Sequence, residues 1–289
     1  MKSNEKSAII EALKKYIARY PSQARAAESL KGVSAATLSQ MLNGKHDSIS
    51  EEMWRSVSAQ VSPAVTISGL NVAETSVYQE ISMALADAQE YCNVRWIVSG
   101  AGSGKTTTAT IYAAEHREVF VVLCYRSMTQ GDFLREIARV IGLRTRNLRI
   151  NDILNSIVEK LSTMESPLLI FDEGDKLEDN VLNHFITLYN RLEGKCGIAF
   201  LSTEYIKTRI SRGYRIKRGY EEIFSRIGRK YFDVEPLTGV DVIAICHANG
   251  LDDRHAVASV VEKIQDVDFD LRCIRNAIRY EKRLLAQKG

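Results

Sequence analysis

The feature that most restricts the fold of this chain is a glycine-rich stretch directly after a short apolar run. The run from Val94 to Ser99 (VRWIVS) predicts a buried β-strand, and Gly100, Gly102 and Gly104 follow it before a helical pattern begins at Thr107. Glycines between a strand and a helix allow backbone N–H groups to close around an anion, and the N-terminus of the helix adds partial positive charge. The stretch therefore predicts an anion-binding loop in an α/β fold.

The residues of this loop make the prediction more specific. Positions 99–106 read SGAGSGKT, which matches the P-loop pattern G-x-x-x-x-G-K-T except that Ser99 replaces the first glycine. In such a loop Lys105 reaches the β- and γ-phosphates, and the hydroxyl of Thr106 coordinates Mg²⁺. We therefore expect ATP and Mg²⁺ as cofactors. The predicted ATP-binding residues of the loop are Gly100, Ala101, Gly102, Ser103, Gly104, Lys105, Thr106 and Thr107.

A second apolar run ends in two carboxylates. Leu168 to Phe171 predicts a strand of the same sheet, and Asp172 and Glu173 follow it. Asp172 is expected to hold Mg²⁺ together with Thr106, while Glu173 orients and polarises the attacking water. These residues predict an ATPase that converts ATP and water to ADP and phosphate, with Lys105 and Glu173 as catalytic residues.

Three segments differ in their hydrophobic patterns. The pattern before Pro63 is helical, strands and helices alternate from Thr75 to Pro236, and three helical patterns follow Pro236. Alternation with strands that are apolar on both faces is typical of a parallel sheet between helices. We therefore predict an all-α domain at 1–62, an α/β P-loop NTPase core at 63–235 and a small helical lid at 236–289.

The N-terminal segment contains a helix-turn-helix pattern. Two predicted helices flank a turn at Lys31 to Val33, Ser34 is placed to cap the second helix, and the pattern resembles the phage repressor and Cro type. In that arrangement Thr37, Gln40 and Lys45 would face DNA. Because the outer face of the second helix is nearly uncharged, we expect weak or non-specific binding. A protein-binding module or an assembly arm is the alternative.

The residues around the two carboxylates carry a family resemblance. The segment DEGDKL, positions 172–177, resembles the signature of AAA+ ATPases that serve DNA transposition. With the helix-turn-helix and the helical lid, nearly the whole chain is similar to the phage Mu transposition protein B family. The resemblance implies an AAA+ ATPase that polymerises helically on double-stranded target DNA without sequence specificity and delivers it to a transposase, which it activates. It also implies stimulation by DNA, self-assembly and transposase, and a cytoplasmic location in a bacterium or a phage-infected host.

The resemblance implies three further site residues. Thr203, after the predicted strand Gly197 to Ser202, corresponds to the polar sensor of the γ-phosphate, and Ser202 is the alternative. Arg226, in preference to Arg229, corresponds to an arginine that reaches the γ-phosphate of a neighbouring subunit. Arg272 corresponds to a lid arginine that contacts the nucleotide, so it joins the predicted ATP-binding residues, while Thr203 and Arg226 join the catalytic ones.

The charge of the chain is unevenly distributed. The total is only +3, from 39 Lys and Arg against 36 Asp and Glu, but residues 205–230 hold nine basic and two acidic residues, a local charge of +7. We interpret this segment as a basic, aromatic-bearing loop that follows a phosphate backbone. Its predicted DNA-binding residues are Lys207, Arg209, Arg212, Arg215, Lys217 and Arg218. Arg144 and Arg146, followed by Arg149, form a smaller cluster, and Thr129 is a further candidate.

Several classes of protein are disfavoured by composition. No run approaches the ~20 apolar residues of a membrane helix, so no membrane association is expected. Five scattered cysteines predict neither a disulfide framework nor a zinc site. Two alternatives to the transposition hypothesis remain open at this point: a helix-turn-helix ATPase that controls transcription, and a protein similar to helicase loaders.

Overall fold

The computed structural model describes most of the chain from residue 71 onward and parts of the N-terminal segment. The described residues are 6, 9–10, 13–14, 16–18, 20, 22–30, 32–44, 49–51, 53–54, 56–57, 71–213, 219–227, 229–265 and 269–288. The candidate DNA-binding residues Lys45, Arg215, Lys217 and Arg218 lie outside them.

Two short helices form the centre of the N-terminal segment. Helix α1 (Gln23–Ser29) and helix α2 (Ala35–Leu42) are separated by a turn in which Gly32 has a φ of +72°. A serine caps each helix, because Ser22 accepts from Arg25 N at 3.3 Å and Ser34 accepts from Thr37 N at 3.0 Å. The helices share a small apolar core, whose fully buried residues include Leu13, Leu38, Met41 and Trp54.

In the described part of the chain, five parallel strands form one sheet in the order β2-β3-β4-β1-β5. Val94 is aligned with Ile198, and Leu168 is aligned with Gly197. The carboxyl ends of the parallel strands therefore lie at one edge of the sheet, where ligands of α/β folds bind. The strands are β1 (Val94–Val98), β2 (Val119–Leu123), β3 (Leu168–Asp172), β4 (Gly197–Ser202) and β5 (Phe232–Asp233).

Helices cover both faces of the sheet. Successive residues of β3 alternate between two buried clusters, since Leu169 packs on one face and Leu168 on the other. Helices α3 and α4 contribute to the Leu168 side and helices α5 to α9 to the Leu169 side. The helices are α3 (Ser76–Glu90), α4 (Lys105–Glu115), α5 (Gln130–Val140), α6 (Ile150–Ser162), α7 (Asp179–Leu192), α8 (Tyr205–Gly213) and α9 (Tyr220–Arg226).

The segment that we interpreted as a basic loop is largely helical, which corrects that interpretation. Helices α8 and α9 occupy most of 205–230, and Ile206 and Ile210 of α8 are buried, as are Tyr220 and Ile223 of α9. Apolar residues at a spacing of four positions form one buried stripe on a helix. The many basic residues of this segment made the short apolar pattern difficult to recognise in the sequence.

Among the residues that the structure describes, three helices follow the last strand. They are α10 (Gly239–Ala248), α11 (Arg254–Gln265) and α12 (Leu271–Lys288), and their apolar residues share a buried cluster with α3 and the sheet. Asp241 of α10 joins this segment to α3, because it accepts hydrogen bonds from Ser76 N at 2.7 Å and Ser76 Oγ at 2.9 Å. Within the described residues, no helix has both the length and the apolar character needed to cross a membrane.

Candidate nucleotide site

The loop between β1 and α4 lies at the carboxyl edge of the sheet. Gly102 and Gly104 have φ values of +73° and +107°, a region that favours glycine. Two hydrogen bonds anchor the loop: Ser99 N donates to Ser202 O of the neighbouring strand at 3.2 Å, and Leu271 N of α12 donates to Gly102 O at 3.0 Å. The loop is therefore held between the sheet and the C-terminal helices.

Lys105 is folded back over the loop. Its Nζ donates to Ser99 O at 2.8 Å, to Gly100 O at 2.6 Å and to Ser103 Oγ at 3.4 Å. Burial lowers the pKa of Lys105, and the negative charge of Asp172 opposes this effect. An anionic ligand in the loop would supply the negative charge that this ammonium group lacks.

Thr106 and Asp172 meet where β3 ends. Thr106 Oγ1 donates to Asp172 Oδ2 at 2.7 Å, so a hydroxyl and a carboxylate converge from α4 and β3. Burial raises the pKa of Asp172, which is only 2% exposed, and the bond from Thr106 opposes the rise. The described residues contain no cluster of three or more His, Cys, Asp and Glu placed to hold a metal. Two oxygen donors fit Mg²⁺, which keeps several waters and takes its other ligands from nucleotide phosphates.

Glu173 follows Asp172 in an unusual backbone conformation. Its φ of +57° is in the left-handed region, and a short 3₁₀ turn (Gly174–Lys176) begins directly after it. The carboxylate of Glu173 contacts Lys176 Nζ at 2.5 Å. Gly174 is tightly enclosed, because a Cβ at this position would lie 2.8 Å from Cδ1 of Phe200. The turn therefore places Glu173 beside the site.

Thr203 and Ser202 have different surroundings at the end of β4. Thr203 Oγ1 donates to Asp175 Oδ2 at 2.7 Å and lines the same cavity as Lys105. Ser202 is 1% exposed, and its hydroxyl accepts a hydrogen bond from Trp96 Nε1 at 2.8 Å. The structure thus places Thr203 at the site and gives Ser202 a buried hydrogen bond.

A cavity of about 490 Å³ brings these groups together and adds residues that we did not predict. Asn71, Val72 and Tyr78 line its far side, and Arg275 lies one helical turn beyond Arg272. Nε of Arg275 is buried with no hydrogen-bond partner among the described residues, so an anion in the cavity would satisfy it. The i,i+3 spacing of the two arginines was visible in the sequence, whereas Tyr78 carried no such signal.

The predicted ATP-binding residues mostly lie around this cavity. Arg272 of α12 lines it, and Asp270 presses its carboxylate against the loop, 2.1 Å from where a Cβ of Gly102 would lie. Gly100 is the one predicted ATP-binding residue of the loop that does not line the cavity, although its carbonyl accepts a hydrogen bond from Lys105. The loop residues in the lining are Ala101, Gly102, Ser103, Gly104, Lys105, Thr106 and Thr107. This donor set, with Asp172 opposite, fits a nucleotide polyphosphate with Mg²⁺.

Arg226 is not part of this cavity. It donates to Asn190 Oδ1 through Nε at 3.1 Å and through Nη2 at 2.8 Å, and it forms an ion pair with Glu222 at 3.7 Å. Its guanidinium also lies 5.5 Å from the centroid of the Tyr189 ring. Arg226 is therefore held against α7 of its own chain. Arg229, which we ranked second, is exposed.

The predicted DNA-binding residues of α8 fall into different environments. Lys207 is ion-paired with Asp233 at 2.5 Å and with Glu204 at 3.0 Å, whereas Arg212 at the end of the helix is exposed. The side chain of Arg209 is only 15% exposed and is bonded to Asp175, Asp179 and Tyr220 of its own chain, so the expectation that it is offered to DNA does not match its position.

The remaining candidates lie on other surfaces. Thr129 caps α5, and Arg144 and Arg146 are exposed on the loop before α6. Cδ1 of Ile150 lies 3.7 Å from where a Cβ of Gly131 would be, so the start of α6 lies close to the start of α5. On α2, Thr37 and Gln40 are half-buried, and the hydroxyl of Thr37 bonds Ser34 at 2.9 Å.

Comparison with known proteins finds similarity in the central part of the chain. Residues 89–210 match the model of the AAA domain family. The ORC1 protein of Aeropyrum pernix, solved in complex with DNA, is similar to the chain with a TM-score of 0.54 and 14% identity, over 74% of this chain and 60% of that one. Drosophila ORC bound to DNA has a TM-score of 0.47 and 14% identity, over 84% and 63%. No curated protein matches the sequence. The chain thus has the AAA+ P-loop NTPase fold and spans about three fifths of ORC1.

Proposed function

We propose that this protein is an ATP-dependent DNA-binding ATPase that assembles on double-stranded target DNA and delivers it to a transposase. One observation carries the ATPase part: Lys105 and Thr106 of α4, Asp172 and Glu173 at the end of β3, and Thr203 after β4 converge on one cavity. Each group has the chemistry that phosphoryl transfer to water requires, since the reaction depends mainly on positioning and on compensation of phosphate charge.

The roles of these residues follow from their positions. Lys105 would exchange its bonds to loop carbonyls for phosphate oxygens, which compensate its charge better. Thr106 and Asp172 would hold Mg²⁺, which neutralises charge on the β- and γ-phosphates. Glu173 would orient and polarise the attacking water once its contact with Lys176 opens. Thr203 would contact the γ-phosphate from the end of β4.

Binding to duplex DNA is supported by the distribution of charge. Arg212 is exposed at the end of α8, and residues 214–218, which follow this helix, contain Arg215, Lys217 and Arg218. Clustered cations with few acidic neighbours bind phosphate backbones through counterion release and do not read sequence. The similarity of the fold to an ORC1 protein solved with DNA agrees with this proposal. The cluster of Arg144, Arg146 and Arg149 is the competing surface.

Assembly and transposase activation rest on the resemblance to the Mu transposition protein B family. In that arrangement Arg226, or Arg229 as the alternative, would reach the γ-phosphate bound by a neighbouring subunit. To do so, Arg226 would have to break its hydrogen bonds to Asn190 and its contact with the ring of Tyr189. Hydrolysis would then depend on assembly, because a single subunit lacks this cation at its own site.

Electron microscopy of the protein with ATP and duplex DNA of arbitrary sequence tests the proposal. We expect nucleotide-dependent filaments whose formation weakens as salt is raised. Two matched triple charge reversals distinguish the DNA surfaces. One variant changes Arg215, Lys217 and Arg218 to Glu, and the other makes the same change at 144, 146 and 149. The first is expected to lose DNA affinity and the second to retain it. The reverse result would move the DNA site, and the absence of filaments and of DNA binding would refute the function.

A further inference from the structure

Arg209 joins three separate elements behind the nucleotide site. From α8, its Nη1 donates to the carbonyl of Asp175 at 3.0 Å, its Nη2 donates to Asp179 Oδ1 at 2.6 Å, and its Nε donates to Tyr220 OH at 2.9 Å. Tyr220 also donates to Asp179. The guanidinium therefore connects α8 with the 3₁₀ turn Gly174–Lys176, the start of α7 and the start of α9.

The turn that Arg209 holds carries groups of the nucleotide site. Asp175 binds Arg209 through its backbone carbonyl and accepts the hydroxyl of Thr203 through its side chain at 2.7 Å. Glu173 directly precedes the turn and has a left-handed φ of +57°. A residue other than glycine in that region is strained and keeps its conformation only when its surroundings hold it. Support of the turn by Arg209 therefore acts on both Thr203 and Glu173.

Only arginine suits this position among the basic residues. Its planar guanidinium presents donors in several fixed directions, whereas a lysine ammonium is a single flexible point charge. The side chain is 15% exposed, so its charge depends on Asp179 at 2.6 Å for compensation.

We propose that Arg209 is a positioning residue, which holds the Gly174–Lys176 turn so that Thr203 and Glu173 are aligned for hydrolysis. This role rests on the proposed ATPase activity and not on the proposed DNA binding.

Steady-state ATP hydrolysis by the full-length protein tests this role. For Arg209→Met we expect kcat without DNA to fall about tenfold, because small displacements of catalytic groups are costly, while KM for ATP stays within about twofold. Arg209→Lys should recover part of kcat. The loss of kcat in the Arg209→Met, Thr203→Val double variant should be smaller than the sum of the two single losses, because Thr203 is one of the two groups that the turn positions. Fully additive losses, or a KM that rises with kcat unchanged, would overturn the proposal.

DNA titrations separate this inference from the proposed function. Wild-type protein should bind duplex DNA. Arg209→Met should keep that DNA affinity within about twofold, whereas Arg212→Met should weaken it. If Arg209→Met loses DNA affinity instead, Arg209 contacts DNA and the positioning role is wrong. If wild-type protein binds no DNA, the proposed function fails, and kcat without DNA still decides the positioning role. Tyr220→Phe, which removes the two hydrogen bonds of the Tyr220 hydroxyl but keeps both bonds of Arg209 to Asp175 and Asp179, should show a smaller loss of kcat and guards against misfolding of the Arg209 variants.

Discussion

Two glycines of the phosphate-binding loop differ in what an added methyl group would meet. At Gly102, where φ is +73°, a Cβ would lie 2.1 Å from Oδ2 of Asp270 and 2.2 Å from its Cγ. At Gly100, which lies outside the left-handed region, nothing lies within 4 Å of an added Cβ. Alanine at 102 should therefore disturb the loop and the start of α12, whereas alanine at 100 should be tolerated.

The cost at Gly102 has two parts. An alanine in the left-handed region costs about 1–2 kcal/mol. Because real Cβ contacts are not shorter than 3.0 Å, the carboxylate of Asp270 must also retreat by about 1 Å. Overpacking of this kind typically costs about 1–3 kcal/mol. If about 1.4 kcal/mol of this total must be spent to bring the loop into the conformation that binds ATP, the affinity for ATP falls about tenfold.

Titration with a fluorescent ATP analogue measures how each alanine substitution changes the affinity for ATP. We expect Gly102→Ala to weaken binding at least about tenfold and Gly100→Ala to change it less than about twofold. Asp270→Ala in the Gly102→Ala background should restore part of the affinity, since it removes the steric part and leaves the backbone strain. Equal affinities for the two alanine variants, or no recovery in the double variant, would show that the contact between α12 and the loop has been assigned the wrong role.

Three further predictions concern the charged groups of the site. Lys105→Ala should abolish ATP binding, and DNA binding with it, in paired nucleotide and DNA titrations; DNA binding that persists would separate the two activities. Glu173→Gln should retain ATP but hydrolyse it at least about 100-fold more slowly and remain on DNA, so its release from DNA would contradict the role of Glu173. Because burial raises the pKa of Asp172, ionisation of this carboxyl in the folded protein costs stability as pH rises above its ordinary value of 3.8. Asp172→Asn should therefore raise the melting temperature at pH 7 without Mg²⁺, with a difference that shrinks toward pH 4, while Mg²⁺-dependent hydrolysis is lost; a lower melting temperature at pH 7 would contradict the assigned cost.

The local pattern of apolar residues and glycines was sufficient to predict the strands and helices that form the nucleotide site. The strand predicted at Gly197 to Ser202 has those bounds in the structure, and the helix predicted from Thr107 begins at Lys105, two residues earlier. The phosphate loop could be recognised because its glycines and Lys105 are adjacent in the chain. Apolar runs and glycine spacing act over a few residues, so the sequence expresses them directly.

The positively charged segment shows where local pattern fails. Nine basic residues within 205–230 suggested a loop, but Ile206 and Ile210 bury one side of α8. Arg209 looked like its basic neighbours in the sequence, yet its partners Asp175 and Asp179 are about 30 residues away. Whether a charged side chain faces solvent or a carboxylate depends on the packing of distant elements.

The sequence by itself determined that the chain has a P-loop, a parallel α/β core and two carboxylates at a strand end, since each follows from contiguous residues. Only the tertiary structure decided that Thr203 is held by Asp175, that Arg275 and Tyr78 line the cavity and that Asp270 lies on Gly102. Contacts of this kind join residues far apart in the chain. They depend on how helices seat on the sheet, which is a property of three-dimensional packing and not of sequence spacing.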